Sequence, residues 1–436
     1  MQVSVETTSG LERRLTVAVP AERLDSAVEQ RLLEAQKNLR VDGFRPGKVP
    51  MREVKRRFAK AVRSEVLSDV MRDSFIKAVE EHKLEPAGMP RFEPTRNEPG
   101  KDLEFVAVFD VFPEIELASF GAVSVERPVA EVTEADVDNM IDNLRKQRAT
   151  WEVAERAAEQ GDRVNIDYEG FKGDEAFAGG SAKGQNLVLG SGSMIPGFED
   201  GLVGVKAGDS KTLSLTFPED YQAEELKGQA VEFKITVNKV EAQQLPEIDE
   251  EFMKAFGVEG GDLAKFRSEV KKNMERELTN AVRAQIKGQV MDGLVNNHSF
   301  DVPGALVSNE IQRMRQQMMQ QFGGGKQFDA SILPDDLFRE QAERSVRLGL
   351  IVRQILEQNQ LKADADKVRA RIEEIAEQYE EPAEVVKWFY SNRQQLEQVE
   401  GAVLEEQVVE LVLASASQSD KTMSYEEVVA NQRGQR

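Results

Sequence analysis

The chain has 436 residues, a net charge of −21, 40% hydrophobic and 31% charged residues, which predicts a soluble protein with several domains. It has no cysteine and only two histidines, His82 and His298, which excludes disulfides, thiol nucleophiles and metal centres or triads built on histidine. We expect no signal peptide and no membrane span, because no charged head precedes an apolar run and no window is long enough to cross a bilayer. The absence of cysteine suits a reducing cytoplasm, so we expect a cytoplasmic location.

Residues 1–112 predict a small α/β domain. Apolar residues alternate at 3–7, 15–19 and 103–111, which is typical of strands. Helical spacing follows Pro20 and runs to Leu39, and it resumes from Val54 past Phe75. The pattern predicts a helical hairpin over an antiparallel sheet. The prolines between residues 86 and 99 predict a break in regular structure.

A loop joins the two helices of this hairpin. Two glycines and two prolines between Gly43 and Pro50 exclude a helix or strand. Residues 40–63 contain nine basic and two acidic residues, a net charge of +7 in an acidic chain. A positive site of this kind predicts docking to a polyanion. The alternative, a plain solvated loop, is weakened by the aromatic Phe44 at its tip.

The middle of the chain divides into a linker and a β domain. Residues 113–150 have no core of their own; Thr133 and Asp136 predict a capped helix that packs on another part of the chain. Residues 151–245 combine frequent glycine with short alternating segments, which predicts an antiparallel β domain. The stretch 196–202 predicts a turn into one short helix.

Residues 246–436 predict an all-helical C-terminal domain with arms. Asp262 caps a long helix, and Val302-Pro303 separates it from the next. Further helical stretches are predicted at residues 337–361, 365–379 and 392–413. The polar sequence beyond Ser415 predicts a frayed tail.

The sequence contains no nucleotide-binding motif. Gly325-Lys326 is followed by Gln327 and lacks the spacing of a phosphate-binding loop, and no carboxylate pair stands out as an acid–base couple. We therefore expect no cofactor, no metal and no bound nucleotide.

The β domain carries five linked segments that resemble the FKBP family of peptidyl-prolyl cis-trans isomerases. They begin with Ile166-Asp167-Tyr168-Glu169-Gly170 and continue through Phe177, Leu189–Gly201, Tyr221 and Val231-x-Phe233. The resemblance implies a half-barrel of antiparallel strands wrapped on one short helix, with catalysis in an apolar proline pocket. The implied lining is Tyr168, Phe177, Met194, Ile195, Phe198, Tyr221 and Phe233.

Such a pocket needs no acid, base or metal, because an apolar site favours the twisted, less polar amide. On spacing alone, these aromatics fit an ordinary β-domain core equally well. Three positions depart from the commonest family pattern: Phe198 replaces a tryptophan, Ala178 an aspartate and Gln185 an aromatic. We therefore expect slow isomerase activity and poor affinity for the macrolide inhibitors of the family.

The basic loop, the FKBP-like segment and the helical half together resemble the trigger factor family of bacterial ribosome-associated chaperones, over essentially the whole chain. The resemblance implies docking at the ribosomal tunnel exit, on a ribosomal protein and rRNA. Pro46 stands where many members have lysine, so one cation is lost. The implied ribosome-binding residues are Gly43, Phe44, Arg45, Pro46, Gly47 and Lys48.

The same resemblance implies ATP-independent shielding of nascent and unfolded polypeptides, and a homodimer when free is plausible. Candidate client contacts are Met314, Met318, Met319 and Phe322, although ordinary helix packing better explains any single methionine. Two other functions stay open from the residues. One is a free-standing FKBP-type isomerase whose helical half only dimerises it; the other is an interaction protein with an inactive FKBP domain.

Overall fold

A computed structural model describes residues 2–38, 44, 48–98, 100–173, 175–221, 223–321 and 333–434. The chain forms two compact units: residues 1–128 with 283–421, and residues 129–282 with 422–436. Some residues to which the sequence assigned a role lie outside the described part: Gly43, Arg45, Pro46, Gly47 and Phe322.

The first unit opens with a four-stranded antiparallel sheet in the order β1-β2-β4-β3. Its strands are β1 (Gln2–Ser9), β2 (Glu12–Val19), β3 (Arg91–Arg96) and β4 (Leu103–Asp110). Leu15, Val17 and Val19 alternate along β2 and are fully buried. The three strands predicted from alternation are confirmed.

Strand β3 corrects the predicted break. It contains Pro94, which pairs in register with Phe105 at the edge of the sheet. An edge strand tolerates proline because its outward N–H groups have no ladder partner.

The predicted hairpin is confirmed as α1 (Ala21–Asn38) and α2 (Met51–Glu81). Both helices bury one face on the sheet. Leu24 and Leu32 from α1 and Val54 and Phe75 from α2 share one core with the strand residues.

Over its described residues, the rest of the first unit is mostly helical, with the C-terminal part of one long helix and five further helices. Their bounds are α6 (Leu263–Asn296), α7 (Gly304–Gln321), α8 (Asp336–Gln358), α9 (Ala365–Ala376), α10 (Pro382–Ser391) and α11 (Arg393–Leu413). The sequence predictions included all of these except α10. A short 3-10 turn (Phe120–Ala122) and β5 (Ser124–Val129) precede the second unit.

The second unit contains the predicted antiparallel β domain. Its five strands have the order β6-β10-β7-β8, with β9 on β10. They are β6 (Thr150–Val153), β7 (Arg163–Lys172), β8 (Glu175–Val188), β9 (Ser210–Thr216) and β10 (Ala230–Gln244). The predicted short helix is α4 (Phe198–Gly201).

A second core of this unit brings distant segments together. Helix α3 (Glu134–Gln147) begins at Thr133 with the predicted capping box, and its Val137 and Ile141 are buried. They pack with α5 (Glu250–Lys254), the N-terminal part of α6 and α12 (Tyr425–Gly434).

The predicted frayed tail is therefore wrong. Strand β11 (Ser417–Thr422) pairs with β5, and Val428 of α12 is fully buried. The local sequence is polar, but long-range burial of a few valines stabilises the segment. Within the described ranges, no helix is both long and apolar enough to cross a membrane.

Candidate functional sites

The aromatic residues predicted to line a proline pocket lie together in the β domain. Phe198, at the start of α4, is fully buried. Its ring centroid lies 5.2 Å from Phe233 and 5.7 Å from Tyr168, both in edge-to-face contact. Phe177 lies 5.9 Å from Phe233. Strands β7, β8 and β10 and helix α4 each contribute one of these rings.

Phe217 joins this cluster and was missed by the sequence reasoning. Its ring lies 4.5 Å from Tyr221 and 5.9 Å from Phe177. It therefore connects Tyr221 to the other rings. Its alternation with Leu213 and Leu215 was visible, but a buried strand residue gives no local signal of contact with a pocket.

The close packing of Phe177 depends on glycine. A Cβ at Gly170 would lie 2.6 Å from Cζ of Phe177 and 2.8 Å from Cε1 of Phe233. Gly180 faces the same ring, where a Cβ would lie 2.5 Å from Cε2. Any side chain at either position would displace the ring.

Met194 and Ile195, in the loop before α4, pack against the core of the β domain, to which Phe198 and Phe233 belong. Glu199, buried in the first turn of α4, holds this loop through backbone N–H groups. They donate to its carboxylate from Gly190 (2.8 Å), Gly192 (3.0 Å), Ser193 (2.9 Å) and Met194 (3.1 Å). The hydroxyls of Ser191 (3.1 Å) and Ser193 (3.3 Å) donate as well.

The sequence reasoning did not identify Glu199. Burial raises the pKa of this carboxyl, but the hydrogen bonds from Gly192, Met194, Ser191 and Gly190 outweigh burial and hold its pKa below the ordinary value. The carboxylate is therefore ionised at neutral pH.

A second buried carboxylate stabilises the segment before β7. Asp162 accepts two hydrogen bonds from the guanidinium of Arg156, at 2.5 and 3.0 Å, and one from the N–H of Glu159 at 2.8 Å. Burial raises the pKa of Asp162, but these hydrogen bonds outweigh burial and lower its pKa overall.

The basic hairpin presents fewer free cations than its sequence suggests. In α2, Lys55 pairs with Glu29 and Arg63 with Asp25, both at 3.2 Å, so acids of α1 neutralise part of the charge. Arg56 and Arg57 both contact Glu53. Among the described residues, no ion pair involves three exposed cations of this region: Lys48, Arg52 and Lys60.

Phe44, in the loop before α2, is 39% exposed. The chain beyond it is fixed at Val49, which is buried and whose carbonyl accepts a hydrogen bond from Nε2 of Gln36 at 2.6 Å. An aromatic ring and a cation at Lys48 are thus both presented to solvent.

Three of the four candidate client contacts, Met314, Met318 and Met319, lie on α7. Met314 and Met318 are half-buried against the core that α7 forms with α8, and Met319 is also half-buried. Larger apolar groups are exposed at α10 and just before it: Tyr379 (58%), Trp388 (50%) and Tyr390 (48%). Tyr379 and Trp388 line a groove of about 780 Å³ together with Val385, Phe389 and three glutamates.

Comparison with known proteins defines the class of the β domain and then the family. Residues 154–238 match the family described as FKBP-type peptidyl-prolyl cis-trans isomerase. Residues 1–144 match the family described as bacterial trigger factor protein, and residues 262–414 match the C-terminus of that family.

Full-length relatives agree with these matches. The trigger factor of Alcanivorax borkumensis is 70% identical over 98% of both chains. That of Cellvibrio japonicus is 56% identical over 98% of this chain and 99% of its own. A solved structure of the trigger factor chaperone aligns at a TM-score of 0.49 with 18% identity, over 95% of this chain and 99% of that one.

The β domain is thus an FKBP-type peptidyl-prolyl isomerase domain within a larger chaperone. The chain belongs to the trigger factor family. Interaction with the ribosome and with substrate polypeptides follows from this membership, and a free-standing isomerase is disfavoured because both flanking parts match the chaperone family.

Proposed function

We propose that the loop between α1 and α2 docks the protein at the ribosomal tunnel exit, on a ribosomal protein and on rRNA. The observation that carries this proposal is that Phe44 and Lys48, four residues apart in the same loop, are both exposed to solvent. Arg52 and Lys60 follow on α2 and form no ion pair within the described residues. The cations suit RNA phosphates, and the ring suits an apolar protein pocket. The rest of the proposed motif is Gly43, Arg45, Pro46 and Gly47.

The proline pocket is proposed at the aromatic cluster of Tyr168, Phe177, Phe198 and Phe233, closed by Met194, Ile195 and Tyr221. Its rings offer apolar walls for a proline side chain, and they leave the amide in a water-poor site that favours the twisted state. In this proposal the hydroxyl of Tyr221 donates to the substrate carbonyl. No proton transfer to or from the protein is needed.

Client segments are proposed to bind the helical part by many weak apolar contacts. Met314, Met318, Met319 and Phe322 stay candidates. The exposed aromatic groove at α10 is a stronger surface, because its rings are already half in solvent. Release needs no ATP in this scheme, since each contact is weak and folding of the client withdraws its apolar surface.

We assign a separate function to each of four segments. Residues 1–112 dock on the ribosome, 113–150 link the domains, 151–245 catalyse isomerisation and 246–436 act as the chaperone domain. A cytoplasmic location is proposed because ribosomes supply the clients. Dimerisation of the free protein is proposed through apolar surface that clients would otherwise cover.

The docking proposal is tested by co-sedimentation with ribosomes. The triple variant Phe44→Ala, Arg45→Ala, Lys48→Ala should lose binding, and wild-type binding should weaken steeply with salt because phosphate contacts release counterions. A matched control replaces two cations outside the hairpin, Arg91→Ala with Lys101→Ala. Retention of full binding by the triple variant would refute the proposal.

A further inference from the structure

The loop from Gly190 to Met194 has no regular structure to satisfy its backbone donors. Four of its five N–H groups end on the single carboxylate of Glu199, and the fifth, from Ser191, reaches the carbonyl of Val188. Buried or half-buried N–H groups need partners, so this carboxylate accounts for the shape of the whole loop.

The loop leads directly into the proposed pocket wall. Met194 carries the last anchored N–H group and Ile195 follows it, and Phe198 stands immediately before Glu199. One residue of α4 therefore supplies a ring of the proposed pocket, and the next anchors the segment that carries Met194 and Ile195.

We propose that Glu199 is the positioning residue of the isomerase site: its ionised carboxylate fixes the loop 190–194 so that Met194 and Ile195 meet the proline ring. This inference rests on the proposed placement of the pocket. Glu199 does not contact the substrate and acts only through the loop.

The negative charge is essential because a carboxylate accepts on both oxygens. Oε2 accepts hydrogen bonds from the N–H groups of Gly190 and Gly192, and Oε1 accepts from those of Ser193 and Met194. A glutamine has the same shape, but its NH₂ group would point donors at one of these pairs of N–H groups. Two loop donors would lose their partner, and the loop would move.

The test measures kcat/KM on a proline tetrapeptide with the full-length protein. Glu199→Gln should lower kcat/KM by up to about 10²-fold, the effect of displacing a binding group by about 1 Å. Asp200→Asn is the matched control. Asp200 is exposed on the same helix turn, so this change removes the same charge and should leave the rate unchanged.

A double-variant comparison separates positioning from general damage. If Glu199 acts through the Met194 wall, Glu199→Gln with Met194→Ala should lose no more activity than Glu199→Gln alone. Glu199→Gln with Tyr221→Phe, on a separate segment, should show multiplied losses. Multiplied losses in both double variants would overturn the proposal, and suppression of client aggregation should be unchanged throughout.

Hydrogen exchange gives a second measurement should Glu199→Gln fail to fold. In the wild type, the amides of Gly190, Gly192, Ser193 and Met194 should exchange slowly despite the irregular loop. Fast exchange of these amides in the wild type, or unchanged amide exchange in Glu199→Gln, would overturn the role of Glu199. A wild-type isomerase rate in Phe198→Ala would instead overturn the placement of the pocket.

Discussion

At the scale of single residues, Phe198 decides the proposed pocket. It stands where the family pattern usually has tryptophan, and it is completely enclosed by the rings around it. The sequence could predict most of the aromatics that gather, because each lies in a segment that resembles the FKBP family, but it missed Phe217. It could not predict Glu199, because the backbone donors to its carboxylate lie five to nine residues before it, outside the short spacing of a capping box.

Phe198→Ala should abolish the acceleration of a proline-limited refolding reaction. It should also destabilise the β domain by about 3–5 kcal/mol, since it leaves a cavity in a closed core. Phe75→Ala is the matched control: Phe75 is equally enclosed by rings, but in the first unit. Phe75→Ala should lower the stability of the first unit by a comparable amount and leave the isomerase rate unchanged. An equal loss of isomerase rate in both variants would contradict the placement of the proline pocket at Phe198.

Asp162 makes a pH-dependent contribution to stability. Its pKa is lower in the folded state than in the unfolded state, so the stabilisation is fully present above the unfolded value of about 3.9 and is lost as the pH falls through the folded value. Asp162→Asn should therefore cost about 1–3 kcal/mol at neutral pH, and the gap to wild type should shrink in acid.

The measurement for Asp162 is urea unfolding followed by the fluorescence of Trp151, which lies in β6 of the same domain. A Trp388→Phe background leaves Trp151 as the only tryptophan. A gap between variant and wild type that stays constant from neutral to acid pH would show that the Asp162–Arg156 pair does not contribute as described.

At the scale of elements, the α1–α2 hairpin changes the electrostatic interpretation. Sequence counting gives residues 40–63 a net charge of +7, but Asp25 and Glu29 lie outside that window and neutralise Arg63 and Lys55. Acids on the partner helix become visible only once the two helices pack. The cations available to a polyanion are therefore fewer than the local sequence indicates.

Arg52→Ala with Lys60→Ala should weaken ribosome binding more than Lys55→Ala with Arg63→Ala. Across the described part of the chain, the first two cations form no ion pair, whereas the second two must break theirs before they meet phosphate. The salt dependence of co-sedimentation should become shallower by about 0.7–0.9 in log–log slope for each phosphate that is no longer neutralised. The reverse ranking would mean that the ion pairs open on docking.

Helix α12 was not predicted because its buried residues, Tyr425, Val428 and Val429, span little more than one turn of a mostly polar segment. Val428→Asp should destabilise the second unit by at least about 2 kcal/mol, because it buries an unpaired polar group. Glu426→Ala, exposed on the same helix, should be close to neutral. Thermal unfolding of the two variants makes the comparison; equal midpoints would restore the prediction of a frayed tail.

At the scale of the whole molecule, the isomerase domain is an insertion whose ends meet. Thr150 of β6 pairs in register with Gln244 of β10. Partners in an antiparallel pair lie about 5 Å apart, so a few residues can bridge the gap. The β domain could be predicted from the sequence because glycine content and strand alternation rise within it, whereas the closeness of its two ends could not.

Replacing residues 151–243 by a short glycine linker should therefore leave the remainder folded. The shortened protein should lose isomerase activity and still suppress the aggregation of an unfolded client. Light scattering of a denatured test protein measures the second property, with Phe198→Ala in the intact chain as the control. Loss of suppression only in the shortened protein would assign client binding to the β domain.

The core that joins α3, α6 and α12 also has a consequence for biosynthesis. Val137 and Ile141 are made well before Tyr425, Val428 and Val429, which cover the same core. Closing so long a loop is slow compared with local folding. During its own synthesis this chaperone therefore exposes an unfinished apolar surface, and until α12 has been made it presents apolar groups to solvent as its clients do.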